Sequence, residues 1–215
     1  MRIPEHLAVI PDGNRRWAEH HGMKKEQGYQ FGLAPGVQLL RQAKAGGIKE
    51  LTFYGFTTDN CKRPRAQRES FSAACVEAVR LLAAEGADLL VLGNYESANF
   101  PPELLPYQQR RRVAGGGIKL NFLVNYGWEW DLAGLADEGE NPSRARICGC
   151  LRSADVSRID LVVRWGGMRR LSGLLPVQAV YADFFVVEAL WPDWQPEHLQ
   201  EALGWYQQQD VTLGG

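Results

Sequence analysis

The 215-residue sequence lacks several features that would assign it to a protein class at once. No apolar run approaches the roughly 18 to 20 residues that a membrane-spanning helix needs. No hydrophobic signal-peptide segment precedes the first polar residues, so we expect a cytoplasmic protein. The formal net charge of −1 offers no basic excess for neutralising phosphates, which argues against a nucleic-acid-binding function.

Cysteines are few, and the common catalytic signatures are missing. The four cysteines show no CxxC spacing, and Cys148-Gly-Cys150 alone is too little for a zinc site, so reduced thiols are expected. The sequence contains no GxxxxGK[ST], no GxGxxG after its first apolar run, no HExxH and no GxSxG. These absences argue against a P-loop kinase and against the enzyme classes that carry the other motifs.

What the sequence does contain is a series of apolar runs of strand length. The apolar content of 45% and the charged content of 23% are ordinary for a soluble globular protein, and the length fits one domain over residues 1–215. Most of the runs are continuous rather than alternating, which is typical of strands buried on both faces of a parallel sheet. The predicted strands are 6–10, 51–56, 88–93, 118–127, 159–165 and 184–190.

Segments with helical periodicity lie between these runs. Residues 36–47 end in a glycine pair and 66–86 end in Gly86, as helix C-termini often do. Residues 102–117 form a weaker candidate because Pro106 interrupts it, and a C-terminal helix begins after Gln195 with Pro196. The alternation predicts a single α/β domain with a mostly parallel six-stranded sheet flanked by helices. Residues 136–146 are expected to form an exposed loop.

Polar clusters follow the predicted strands, at the sheet edge where α/β proteins bind ligands. The first is Asp12-Gly13-Asn14-Arg15-Arg16-Trp17. Its carboxylate could hold a hard cation while its amide and guanidinium groups grip phosphate oxygens. Taken alone, the cluster is better explained as an Asx-turn and helix N-cap with solvated arginines.

Two further clusters and a pair of acidic residues occur later in the chain. Residues 56–64 crowd two hydroxyls, Asp59, Asn60 and two basic residues into one segment, although a polar turn would look the same. Residues 163–173 place three arginines and Ser172 around a diglycine, which favours an oxyanion-binding nest. Asp183 is a candidate second cation ligand, whereas Asp193 fits a turn or a helix cap. Three such strand ends predict a polyanion, such as a diphosphate, bound with a divalent cation.

The clusters, taken in order, resemble the cis-prenyltransferases, the undecaprenyl diphosphate synthase or isoprenyl transferase family. The resemblance covers nearly the whole chain through HLAVIPDGNRRWA, YGFTTDNCKRP, LNFLVNYGWEWD, IDLVVRWGGMRRLS and YADFF…LWPDW. It implies a Mg²⁺-dependent transferase that condenses an allylic prenyl diphosphate with isopentenyl diphosphate to give a Z-prenyl diphosphate. It also implies an apolar tunnel between sheet and helices and a homodimer. An apolar tunnel mouth is compatible with peripheral contact with a membrane.

The resemblance also assigns roles to individual residues. Asp12 would hold Mg²⁺ on the allylic diphosphate, with Asp183 in place of a Glu that is the family's other metal ligand. Asn60 would help to take the proton lost from isopentenyl diphosphate, supported by Arg63. Arg164, Arg170 and Ser172 would bind the second diphosphate. The remaining residues expected to bind substrate are Gly13, Asn14, Arg15, Arg16, Trp17, Lys25, Tyr29, Thr57, Thr58, Asp59, Cys61 and Leu171.

The sequence departs from the family pattern at several positions. Lys25 replaces an Arg, Tyr29 a His, and Cys61 a Trp. The acidic residue of the second diphosphate site is absent and Met168 stands in its place, a pattern that also resembles the irregular, lavandulyl-type branch of the family. Regular cis elongation therefore has two alternatives, the non-head-to-tail coupling of two allylic diphosphates and a non-catalytic prenyl-diphosphate-binding homologue. Product chain length does not follow from the sequence.

Overall fold

The computed structural model describes residues 2–135 and 142–210. A seven-stranded sheet forms the centre of the fold, in the spatial order β4-β3-β5-β2-β1-β6-β7. Every neighbouring pair is parallel except the edge pair β3–β4. The strands are β1 His6–Ile10, β2 Glu50–Thr57, β3 Ala87–Leu92, β4 Arg111–Val113, β5 Ile118–Tyr126, β6 Leu161–Trp165 and β7 Asp183–Val187.

Helices lie in most of the connections between parallel strands, whereas residues 166–182 join β6 to β7 through turns. The α-helices are α1 Asn14–His20, α2 Leu33–Ala45, α3 Arg65–Ala84, α4 Trp128–Leu132, α5 Arg144–Cys150 and α6 Pro196–Tyr206. Short 3₁₀ helices cover Lys25–Gly32, Thr58–Lys62, Pro102–Tyr107, Ala133–Leu135 and Trp191–Asp193. Among the described residues, no helix is both long enough and apolar enough to cross a bilayer.

The mostly parallel α/β architecture predicted from the sequence is confirmed, with three differences. The sheet has a seventh strand, β4, whose three residues are too short and too basic to show a strand pattern. The same segment was expected to be helical, but Pro106 limits it to the 3₁₀ helix Pro102–Tyr107. Residues 136–141 of the expected loop lie outside the described residues, and 144–146 belong to α5 rather than to a loop.

Apolar side chains fill both faces of the sheet, because β1 and β6 are buried along their whole length. One cluster packs the sheet against α2, α3 and α6 and includes Leu40, Val79 and Trp165. A second cluster covers the opposite face around Tyr126 and Leu174. The α3 side chains Cys75, Val79 and Leu82 are 1–2% exposed and belong to the first cluster. An elongated tunnel along α3 stays a prediction.

Candidate functional site

A cavity of about 560 Å³ opens where β1, β2 and β6 end. It brings together segments that are far apart in the sequence but follow neighbouring strands, as expected for a parallel sheet. The candidate residues that line it are Asp12, Gly13, Asn14, Arg15, Arg16, Lys25, Tyr29, Thr57, Asp59, Asn60, Arg63, Arg164, Arg170 and Ser172. The three strand-end clusters therefore form one site.

The turn after β1 requires glycine at position 13. Gly13 has a φ of +111°, and a Cβ there would lie 2.8 Å from Cδ2 of Leu190. Because of this turn, the main chain passes directly from β1 into α1. No side chain caps α1, so the N–H groups of its first turn remain available to an anion.

Asp12 lies between two arginines that come from different parts of the chain. Its Oδ2 accepts a hydrogen bond of 2.8 Å from Nη2 of Arg164, and its Oδ1 is 3.7 Å from Nη2 of Arg16. The Asp12 side chain is 34% exposed and that of Arg164 is 5% exposed. The Asp12 carboxylate is therefore accessible from the cavity and lies between an arginine of the first cluster and an arginine of the third.

The loop after β6 holds Arg164 in a fixed orientation. Its Nη1 donates to Oγ of Ser172 at 2.8 Å and to the carbonyl of Arg170. Gly166 and Gly167 have φ values of +84° and +74°, so the chain bends sharply at the diglycine. The same bend lets Nη2 of Arg16 donate to the carbonyl of Gly166 at 2.9 Å. The first and third clusters are therefore joined directly.

The loop after β2 supplies the remaining wall. Thr57 and Asn60 exchange hydrogen bonds, with the Thr57 N–H donating to Asn60 Oδ1 and the Asn60 N–H donating to Thr57 Oγ1. The side-chain oxygen of Asn60 therefore accepts a hydrogen bond within the loop, and its side-chain NH₂ group is left to bind a substrate. Nη1 of Arg63 donates to the Tyr29 hydroxyl at 3.2 Å. Burial raises the pKa of Tyr29, and burial together with the charge of Arg15 lowers the pKa of Arg63.

The cavity is strongly cationic although the whole chain is nearly neutral. Six cationic side chains line it, against the three carboxylates of Asp12, Glu19 and Asp59. Glu19 pairs with Lys25 at 3.0 Å, and Asp59 pairs with Lys62 outside the cavity at 2.6 Å. Most of the guanidinium charge is left without a carboxylate partner, which suits a ligand with several negative charges.

Five residues expected at the site lie elsewhere. Nε1 of Trp17 donates to Oδ1 of Asp193, Cys61 Sγ contacts Asn125, and Leu171 packs in the second apolar cluster. Thr58 lies against Gly127 rather than in the cavity wall. The fifth residue is Asp183.

Asp12 and Asp183, the two expected metal ligands, lie at opposite ends of the sheet, and the role of Asp183 as a metal ligand stays a prediction. Asp183 begins β7 and pairs through Leu161 with Leu7, so it lies at the amino end of the sheet. At about 3.3 Å per residue, the five residues from Leu7 to Asp12 span about 16 Å. Asp183 instead makes an ion pair of 3.6 Å with Arg2.

Several lining residues were not predicted from the sequence. Ile10, Pro11, Glu19, Tyr54, Gly55 and Phe71 also border the cavity. Tyr54 and Phe71 occupy positions that read as ordinary core in a strand and a helix. The Tyr54 hydroxyl donates to the carbonyl of Ser172 at 2.7 Å, and burial raises its pKa. Met168, the residue that replaces the family's acid, does line the cavity.

The side chains of the cavity offer few ligands for the expected Mg²⁺. Residues 2–135 and 142–210 contain no group of three His, Cys, Asp or Glu side chains that could hold a metal ion. Mg²⁺ is commonly bound by only one or two carboxylates together with substrate phosphates and water. Asp12, whose carboxylate is exposed to the cavity, fits that mode of binding.

Comparisons with known proteins agree with the fold and show the family. The family model for undecaprenyl diphosphate synthase matches residues 10–214. The chain is 32% identical to a ditrans,polycis-undecaprenyl-diphosphate synthase, (2E,6E)-farnesyl-diphosphate specific, of Pectobacterium atrosepticum, covering 99% of this chain and 90% of that protein. It is 30% identical to an isoprenyl transferase of Nitrosomonas europaea, covering 99% and 86%.

A solved structure supports the same assignment at the level of the fold. Lavandulyl diphosphate synthase from Lavandula x intermedia, in complex with dimethylallyl diphosphate, superposes with a TM-score of 0.87 at 21% identity over 99% of this chain and 98% of that one. The fold and the cationic cavity define an α/β protein with a polyanion site. The chain belongs to the undecaprenyl diphosphate synthase family of cis-prenyltransferases.

Proposed function

We propose that this protein condenses an allylic prenyl diphosphate with isopentenyl diphosphate to form a Z-prenyl diphosphate and inorganic diphosphate. The observation that carries the proposal is the position of Asp12. It lies between Arg16, in the wall formed by α1, and Arg164, in the wall formed after β6. Two diphosphates could then bind on either side of one carboxylate, each against its own cations.

The first step breaks the allylic C–O bond, and the electron pair leaves with the diphosphate. Arg15 and Arg16 bind the leaving group and stabilise its growing charge. Asp12 would hold Mg²⁺, which supplies further charge neutralisation when bound. Each well-placed electrostatic contact of this kind lowers the barrier by about 3 kcal/mol.

The second step forms the new carbon–carbon bond. Arg164, Arg170 and Ser172 hold the diphosphate of isopentenyl diphosphate so that its double bond faces the allylic carbon. Attack by the alkene leaves a tertiary cation, and loss of a proton creates the new double bond. The departing diphosphate can accept this proton, and the Asn60 NH₂ can hydrogen-bond that diphosphate. Asn60 acts by positioning, since an amide is not a base at neutral pH.

The test is incubation with Mg²⁺, radiolabelled isopentenyl diphosphate and a panel of allylic diphosphates, followed by chromatography of the dephosphorylated products. Labelled product that depends on both substrates and is lost on chelation of Mg²⁺ is the expected result. Tight binding without product under every pairing would indicate a non-catalytic prenyl-diphosphate-binding homologue instead.

One observation favours a second candidate, irregular coupling of two allylic diphosphates. Met168 lines the cavity close in sequence to Arg170, so the second diphosphate subsite lacks the carboxylate that the family pattern has there. The same incubation separates the two functions. Product from two dimethylallyl diphosphates, with isopentenyl diphosphate ignored, would replace regular elongation by this alternative.

A homodimer, a cytoplasmic location and peripheral contact with a membrane are three further proposals. A homodimer is supported by family membership and by exposed apolar side chains at Val180 and Tyr181, which are 64% and 44% exposed. Light scattering of the purified protein measures this directly. A cytoplasmic location and peripheral contact with a membrane are checked by cell fractionation and by flotation with lipid vesicles.

A further inference from the structure

The turn at Ser172–Gly173 has a backbone conformation that its sequence alone does not favour. Ser172 has a φ of +52°, a left-handed value that residues with a side chain seldom adopt, and Gly173 follows with +82°. In this conformation Oγ of Ser172 accepts a hydrogen bond of 2.8 Å from Nη1 of Arg164. A strained residue keeps such a conformation only where its surroundings hold it, so other parts of the chain must hold this turn.

Tyr54 of β2 contacts the turn through its hydroxyl. The hydroxyl donates to the carbonyl of Ser172 at 2.7 Å, and Tyr54 is 7% exposed. The Tyr54 ring packs in the second apolar cluster and meets the ring of Tyr126 edge to face, with centroids 6.2 Å apart. Tyr126 is itself fixed by a hydrogen bond of 2.7 Å from its hydroxyl to Oδ2 of Asp131. The donor that reaches Ser172 is therefore carried by a well-packed side chain.

Trp128, the first residue of α4, also lies against the turn. A Cβ on Gly173 would lie 3.0 Å from Cδ1 of Trp128 and 3.5 Å from the hydroxyl oxygen of Tyr54. Both aromatic side chains therefore occupy the space beside Gly173 and leave little room for a larger residue there. Trp128 is 45% exposed and is not among the side chains of either described apolar cluster, so core packing does not explain its position.

The turn joins the three residues of the second diphosphate subsite. Nη1 of Arg164 donates to Oγ of Ser172 and to the carbonyl of Arg170, and all three residues line the cavity. If the turn relaxed to an ordinary backbone conformation, Oγ of Ser172 would move away from Arg164, and the guanidinium would lose its fixed orientation. A displacement of about 1 Å in a clamp of this kind can lower a rate about a hundredfold, so the reaction depends on the position of the turn.

We propose that Tyr54 and Trp128 are positioning residues, which hold the Ser172–Gly173 turn in the conformation that the second diphosphate subsite requires. They act through Ser172 and Arg164 rather than by contact with the reacting atoms. The proposal rests on the proposed function, because that function assigns the subsite to isopentenyl diphosphate. Tyr54 borders the cavity, but its hydroxyl proton is donated to the Ser172 carbonyl. Direct binding of the diphosphate by Tyr54 is the competing explanation that the experiments must separate.

Hydrogen exchange of the substrate-free protein tests whether the two aromatic residues hold the turn. The Leu174 N–H donates to a backbone carbonyl across the turn at 3.1 Å, so its exchange rate reports opening of the turn. Tyr54→Phe and Trp128→Ala should each raise this rate about five- to tenfold, the effect of one lost hydrogen bond or a comparable contact. The Gly167 N–H, which donates to the end of β7, should keep its wild-type rate. An unchanged rate at Leu174 in either variant would overturn the role of that residue.

Steady-state kinetics measures what this positioning does for the reaction. Tyr54→Phe and Trp128→Ala should raise the KM for isopentenyl diphosphate about tenfold and leave the KM for the allylic diphosphate within about twofold. Tyr206→Phe is the matched control, because Tyr206 is a buried tyrosine of α6 outside the cavity, and it should keep both KM values. A purely structural role would lower the temperature of thermal unfolding without this difference between the substrates. An unchanged KM for isopentenyl diphosphate, or equal rises for both substrates, would overturn the proposal.

A double-mutant cycle with Ser172→Ala separates positioning from direct binding. If Tyr54 acts through the turn, Tyr54→Phe should raise the KM for isopentenyl diphosphate by less than about threefold once the Ser172 hydroxyl is absent. Full additivity of the two substitutions would show that the Tyr54 hydroxyl binds the diphosphate itself and would overturn the proposal. Absence of turnover in the wild type would contradict the proposed function instead, and the exchange rate of Leu174 would still decide whether Tyr54 and Trp128 hold the turn.

Discussion

Both ends of the sheet carry polar side chains, but these side chains differ in their exposure to solvent. At the amino end, His6, Glu50, Thr52 and Asn121 are between 0% and 4% exposed. At the carboxyl end, the side chains of Asp12 and Arg16 are 34% and 38% exposed and border an open cavity. One set of polar groups is closed off from solvent, and the other is presented to it.

Hydrogen bonds satisfy the amino-end groups among themselves. Asn121 Nδ2 donates to Glu50 Oε1 at 2.7 Å and to Thr52 Oγ1 at 2.9 Å. Thr52 Oγ1 lies 2.7 Å from Nε2 of His6, and Nδ1 of His6 lies 3.0 Å from the carbonyl of Ser157. The carbonyl can only accept, so neutral His6 carries its proton on Nδ1 and accepts from the Thr52 hydroxyl at Nε2.

The difference separates stability from ligand binding. Buried polar groups persist only if each finds a partner, and the amino end meets this condition within the protein. The carboxyl end gathers more cations than carboxylates, so its partners must come from outside. Substitutions at the two ends should therefore have effects of different kinds.

The largest effect is expected from Asp12→Asn at the carboxyl end. The amide keeps the shape of the side chain but loses the charge that would hold Mg²⁺, so kcat/KM should fall about a thousandfold. The free energy of unfolding should change by no more than about 2 kcal/mol, because Oδ1 of the amide can still accept from Arg164. Steady-state kinetics and urea unfolding measure the two quantities. Activity within tenfold of the wild type would refute the role assigned to Asp12.

Two adjacent arginines sharpen the definition of the site. Arg170 lines the cavity, whereas Nη2 of Arg169 pairs with Glu188 at 3.0 Å on the surface. Arg170→Gln should lower kcat/KM about a hundredfold through weaker binding of isopentenyl diphosphate. Arg169→Gln is the matched control and should change neither activity nor stability by more than about 0.5 kcal/mol. An equal loss of kcat/KM in both variants would contradict the assignment of Arg170, and not Arg169, to the cavity wall.

At the amino end, Asn121→Ala should affect stability without affecting the chemistry. The substitution removes hydrogen bonds to Glu50, Thr52 and Arg110, so each of these groups loses one of its partners at the buried end of the sheet. The free energy of unfolding should fall by about 3 kcal/mol. Activity per folded molecule, measured at a temperature where the variant is native, should stay at the wild-type level. A large loss of kcat in the folded variant would mean that the two ends are coupled.

Local pattern accounts for the parts of the molecule that sequence predicted well. Continuous apolar runs predicted β1 and β6, and the glycines after α2 and α3 predicted where those helices end. Arginines beside glycines after a strand are rarely required for packing, so Asp12, Arg164 and Arg170 stood out as site residues.

The failures come from facts that only the three-dimensional register supplies. The position of Asp183 at the amino end of the sheet follows from its pairing through β6 with the start of β1, a register that the sequence pattern does not show. Tyr54 and Phe71 look like core residues because aromatic side chains of the same kind line a cavity and pack in a core. β4 has only three residues, and a basic edge strand of that length has no pattern to detect.

The smallest expected effect is a pH dependence of stability that originates at the amino end. Burial lowers the pKa of His6 below its ordinary value, since a charged imidazole would lose solvation and would no longer accept from Thr52. The unfolded chain therefore binds a proton more readily than the folded one. Stability is fully present above about pH 6.5 and declines as the pH falls below it, by at most about 1.4 kcal/mol per pH unit.

His6→Gln tests this origin, because glutamine can fill the site but does not titrate. Urea unfolding between pH 5 and 7.5 should give a smaller slope of unfolding free energy against pH in the variant than in the wild type. His20 is exposed, so His20→Gln serves as the matched control and should keep the wild-type slope. If His6→Gln also keeps that slope, the acid sensitivity arises elsewhere. Packing, rather than a neutral histidine, would then keep the polar groups of the amino end buried.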